Sequence, residues 1–204
     1  NEITKEKNKI FLASGPATSD LTGKACSPNT VHWTYDTWSL ANGTGGAMVK
    51  QGGDTWFFVT ADYAFGHALE RDTSAVVEKA GGKVLGAVRH PFPGQDFSSF
   101  LLQAQSSGAK VIGLANAGGD TINSIKQASE FGITQGGQAL AALLMFISDV
   151  HALSLQTAQG LVLTSAFYWD LNDQTREWSK RFSEKNGGKQ ATMVQDGVYS
   201  SVLH

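Results

Sequence analysis

Short apolar runs alternate along this chain with stretches in which apolar residues recur every three or four positions. Trp56-Phe57-Phe58-Val59 is apolar and β-rich, and it stops at Thr60-Ala61-Asp62. Phe65, Ala68, Leu69, Val76 and Ala80 then fall close to one helical face, and Gly81-Gly82 follows where a helix would end. The pattern predicts a buried strand, a short turn at 62–66 and a helix. Further strands are predicted at 9–13, 30–35, 83–89, 110–115, 139–146 and 161–167. Helices are predicted at 37–51, 96–104, 121–131, 149–155, 174–185 and 193–203, with Asp96 and Asp120 as capping residues. Gly43, Gly45 and Gly46 are costly inside the helix at 37–51, which predicts that another backbone packs very close to it.

Strands alternating with helices of about 10–15 residues mark βαβ units and a mostly parallel sheet. The strands read as apolar on both faces, as in a sheet covered by helices on either side. The fold class is therefore α/β, doubly wound. Ligands of such sheets bind beyond the carboxyl ends of the strands, which makes the turn at 62–66 the first place to look for function.

Composition narrows the function. The chain has 204 residues, 41% hydrophobic, with a formal charge of −2. No basic footprint for nucleic acid is present. The longest apolar run, 139–147, falls far short of the roughly 20 residues of a membrane helix. The first residues, Asn1-Glu2-Ile3-Thr4-Lys5, contain neither Met nor an apolar signal segment. Cys26 is the single cysteine, so no internal disulfide and no CxxC motif can form.

Enzyme signatures are missing. The glycines of 42–48 lack the last glycine of GxGxxG and lie in a predicted helix. No GxSxG elbow occurs, and His32, His67, His90, His151 and His204 share no metal-ligand spacing. Neither catalytic residues, nor a metal, nor a cofactor is predicted. What remains is a set of strand-end loops of small, hydroxyl, amide and aromatic residues, suited to a small organic molecule. Thr18 suits an anion or caps a turn. Tyr63 and Phe65 supply a wall, or Phe65 is the first core residue of its helix. Asp120 is a site residue or only a cap. Trp33, Trp38, Trp56 and Trp178 are read as core.

Four ordered motifs carry a family likeness. The loop Ser14-Gly15-Pro16-Ala17-Thr18-Ser19-Asp20-Leu21-Thr22 resembles the P-A-A-T-x-x-x-L-T loop of leucine/isoleucine/valine-type periplasmic binding proteins. Residues 55–66 resemble that family's strand and D-Y-A-Y-G turn, 113–128 its G-x-x-G-D and K-Q-A unit, and 159–164 its E-G-M-L-V-T strand. The resemblance implies a periplasmic, substrate-binding subunit of an ABC importer, with a permease as partner. It implies the type I fold, two doubly wound parallel-sheet lobes joined by a hinge, closing on a small ligand. It also implies a fragment with lobe 1 incomplete: 1–36 the end of its first pass, 37–173 lobe 2, and 174–204 the return towards lobe 1.

Carried onto this sequence, the resemblance assigns the ligand carboxylate to Ala17 and Thr18 and a pocket wall to Phe65. It places Gln159 where amino-acid receptors have an acid for the ligand ammonium. The small loop 114–119, with Gly118, leaves room for a planar ring. Ala17, Thr18, Tyr63, Phe65, Gly118, Asp120 and Gln159 are thus the expected ligand-binding residues. The expected ligand is an aromatic carboxylate such as a benzoate or phenylpropanoid acid. The alternatives are a branched-chain amino acid or amide, or the ligand-sensing lobe of a signalling receptor.

Overall fold

The computed structural model describes residues 1–204, which form two compact units: Asn1–Asp36 with Ser165–His204, and Thr37–Thr164. In the first, β1 (Phe11–Ala13) pairs in parallel with β2 (Thr30–His32). Both strands are shorter than the patterns at 9–13 and 30–35 predict, because the pairing register ends at Ala13↔His32. The helices Asp173–Lys185 and Met193–Leu203 complete this unit. Trp178 joins them: it stacks on Phe182 at 5.5 Å and meets Tyr199 at 5.3 Å. Trp33 Nε1 donates to Ser200 Oγ at 2.8 Å, tying the residue after β2 to the last helix.

The second unit is built on β3 (Thr55–Ala61), β4 (Lys83–His90), β5 (Val111–Ala115) and β6 (Ala139–Ala142). They form one parallel sheet in the order β4-β3-β5-β6. β5 is buried at every position and β3 at most, as the continuous apolar runs predict. β4 instead alternates between exposed and sheltered residues, the pattern of an edge strand with one face in solvent. Val59, Ile112, Leu114 and Leu140 pack from the sheet against Phe97, Leu101, Ile125 and Ala128 of the covering segments. Each of the larger of these side chains contributes about 1.5–3 kcal/mol by leaving water.

Several expectations are corrected. The strand at 161–167 shrinks to a single parallel bridge, Ala141↔Val162. Its end is drawn elsewhere: Thr164 Oγ1 bonds Thr44 Oγ1 at 2.8 Å. Residues 37–50 are helical but wind through a π segment at Ala41–Gly45. The glycines there face side chains, not a backbone: a Cβ at Gly43 would collide with Thr164, and one at Gly45 would lie 3.3 Å from Thr73 Cγ2. β6 ends at Ala142, short of 146, and the following helical stretch is split into Ile147–Ala152 and Leu155–Ala158. The helix expected from Asp96 starts at Ser98, with Asp96 Oδ1 accepting from the Ser98 N–H at 2.9 Å. Trp38 is exposed, although Trp56 is fully buried. No helix is long and apolar enough to cross a membrane.

Candidate functional site

The carboxyl ends of β3, β4 and β5 turn into loops that enclose a cleft of about 460 Å³, lined among others by Tyr63, Phe92, Gly94, Gly118, Asp120 and Phe146. Each wall follows from its local sequence. β3 ends at Ala61, and Tyr63 takes an extended conformation as the residue before the helix Ala64–Lys79. Gly66 lets this turn close: a Cβ there would strike the carbonyl of Ala61 and lie 3.2 Å from that of Ala115. β4 runs into 91–94, Pro-Phe-Pro-Gly, with a cis Phe92–Pro93 peptide. β5 ends at Ala115, and Gly118, at φ +59, caps the helix Gly119–Glu130. Only glycine adopts that backbone at little cost.

Asp120 is therefore not the cap but the second residue of that helix, where the amide-rich N-terminal turn favours a negative charge. Its Oδ1 accepts from the Gly94 N–H at 3.1 Å, fastening the β4 loop to the β5 loop. Behind it lies a closed network. His90 Nδ1 donates to the Pro91 carbonyl at 2.9 Å, and its Nε2 accepts from Asn116 Nδ2 at 3.2 Å, an assignment made from the hydrogen-bond network. Thr121 Oγ1 donates to Asn116 Oδ1 at 2.7 Å, and Ser124 Oγ to the Asp120 carbonyl at 2.7 Å. The Tyr63 and Phe92 rings stack at 4.6 Å, and Phe65 tilts against Tyr63 at 5.8 Å. Burial, and secondly the Asp120 charge, push the Tyr63 phenol above its usual range.

The cleft thus brings together three of the expected residues, Tyr63, Gly118 and Asp120, with Phe65 behind Tyr63 rather than in the lining. Gln159 is not among them. It is exposed beside a second cavity of about 540 Å³, lined by Gln138, Ala139, Gln156 and Leu161. That cavity sits where β6 begins, at the amino ends of the strands. Gln159 and Tyr63 thus line different cavities, at opposite ends of the strands. In the other unit Ala17 is buried, and Thr18 Oγ1 accepts from the Asp20 N–H at 3.3 Å, capping the short 3₁₀ helix Ser19–Thr22. The Thr18 hydroxyl proton is not used by that bond. Sequence reasoning missed Phe92, Gly94 and Phe146. The first two were within reach, since 91–94 follows directly on a predicted strand.

Residues 1–204 match the family described as periplasmic binding protein. A solved periplasmic binding protein from Burkholderia mallei is 58% identical with a TM-score of 0.95, over 98% of this chain and 53% of that one. A branched chain amino acid ABC transporter periplasmic ligand-binding protein from Burkholderia xenovorans is 34% identical with a TM-score of 0.86, over 99% of this chain and 54% of that one. Leu/Ile/Val-binding protein homolog 6 of Brucella melitensis is 28% identical across 90% of this chain. The chain spans about half the length of these proteins, 46% in the Brucella case.

Proposed function

We propose, because this chain belongs to the periplasmic binding protein family, that the protein containing it is an extracytoplasmic, periplasmic solute-binding component of an ABC importer that delivers a small aromatic carboxylate to a permease. The observation that supports this ligand class is the cleft itself. Tyr63 and Phe92 form a stacked pair in its lining, Phe146 joins them there, and 117–119, Ala-Gly-Gly, adds only small residues to it. Aromatic faces favour offset or edge contacts with a further ring. Solute binding, not turnover, is the role that membership of the periplasmic binding protein family supports.

The carboxylate end is assigned on the family resemblance to Ala17 and Thr18. The amide of Ala17 and the uncommitted proton of the Thr18 hydroxyl would donate to it. Thr18→Ala is expected to lose about 1.5–3 kcal/mol of affinity, the size of a hydrogen bond to a charged group. Wild-type affinity in a folded variant would leave Thr18 as a cap alone.

A branched-chain amino acid is the second reading, favoured by the names of the Burkholderia xenovorans and Brucella relatives. Both readings are open to direct measurement of the ligand. Mass spectrometry of small molecules released by denaturing the full-length protein, with calorimetry against benzoate and leucine, separates the two. An aromatic acid in the spectrum and a benzoate titration are expected. Tight leucine binding with no response to benzoate selects the amino-acid reading.

A further inference from the structure

We propose that the Asp120 carboxylate is the acceptor for a hydrogen-bond donor carried on the ring of the bound acid, so that the cleft selects hydroxylated aromatic acids over unsubstituted ones. This rests on the aromatic-acid reading above. A carboxylate offers about four acceptor positions on its two oxygens. In the structure Asp120 uses one, from the Gly94 N–H. Its Oδ2 has no hydrogen-bond partner, although the side chain is only 5% exposed.

The neighbouring donors are already committed. His90 Nδ1 lies 3.7 Å from Oδ2, beyond hydrogen-bond reach, and gives its proton to the Pro91 carbonyl. Asn116 Nδ2 donates to His90 Nε2 and to Ser124 Oγ, both at 3.2 Å. The Ser124 and Thr121 hydroxyls donate to the Asp120 carbonyl and to Asn116 Oδ1. No side chain of the network is free to satisfy the carboxylate. A buried acceptor left open costs free energy that an incoming donor recovers.

Asp120 is a lining residue of the cleft beside Tyr63 and Gly94, and its unpartnered oxygen lies buried at that wall. The adjoining rings of Tyr63 and Phe92 then hold the ring that bears the hydroxyl.

The test titrates the full-length protein with benzoate, 4-hydroxybenzoate, 4-methylbenzoate and leucine. The methyl group matches the hydroxyl in size but has no donor. The expected result is that 4-hydroxybenzoate binds about tenfold or more tightly than 4-methylbenzoate, the range of a charge-assisted hydrogen bond. In Asp120→Asn this preference should fall to about threefold or less, since the amide keeps the shape but loses the charge. If that variant does not fold, the wild-type ratio alone decides. Equal binding of the two substituted benzoates, or an unchanged ratio in the variant, overturns the role of Asp120 and leaves the aromatic-acid reading standing. Binding of leucine alone overturns both.

Discussion

At Tyr63 one phenol meets two influences of unequal size. Burial is the larger and the Asp120 charge the smaller, and both disfavour the phenolate. The sign for stability follows by linkage. A folded-state value raised above that of the unfolded chain gives stability that is complete below about pH 10 and is lost as the pH rises through the raised value. Asp120→Asn should therefore lower the Tyr63 titration only part of the way to the ordinary value, because burial remains. A tyrosinate absorbance titration, referenced to Tyr63→Phe, would measure this. A complete return to the ordinary value in Asp120→Asn would show the charge, not burial, to dominate. Tyr63 itself was legible in the sequence as the residue after a strand. Phe92 was within reach on the same ground, but Phe146 was not, because it is distant in sequence and no local period marks a residue there as facing a cleft.

The elements show where local pattern suffices and where it does not. β3 and β5 are recoverable because a strand covered on both faces is apolar throughout, as residues 56–59 and 111–115 are. The start of the helix Gly119–Glu130 is not, because Gly118 and Gly119 both tolerate a boundary and the aspartate beside them has the look of a cap. The strand expected at 161–167 is reduced to the Ala141↔Val162 bridge, and the Thr44–Thr164 bond beyond it is a tertiary contact that no window of residues reveals. The turn after β3 makes its own prediction. Gly66→Ala forces a methyl into the Ala61 carbonyl and should cost about 1–3 kcal/mol or more of stability, as overpacking does. Gly119→Ala, with no atom within 4 Å of the added carbon, should be near neutral. Denaturant midpoints of the two variants check the contrast, and equal midpoints would show that the turn yields without strain.

On the scale of the whole chain, the two units differ in how they are written. The second is one continuous stretch, Thr37–Thr164, with a four-stranded sheet and its own apolar core. It should fold alone: residues 37–164 expressed separately are expected to unfold cooperatively with native near-ultraviolet dichroism. A non-cooperative transition would show that its core depends on the flanking segments. The first unit has a sheet of only two three-residue strands, with Ile10, Leu12 and Val31 exposed on and beside it. Its two halves are joined across 167 positions by the Trp33–Ser200 hydrogen bond. Residues 1–36 therefore cannot complete their unit until the chain has run past Ser200, whereas residues 37–164 hold every strand of their own sheet and need nothing made later.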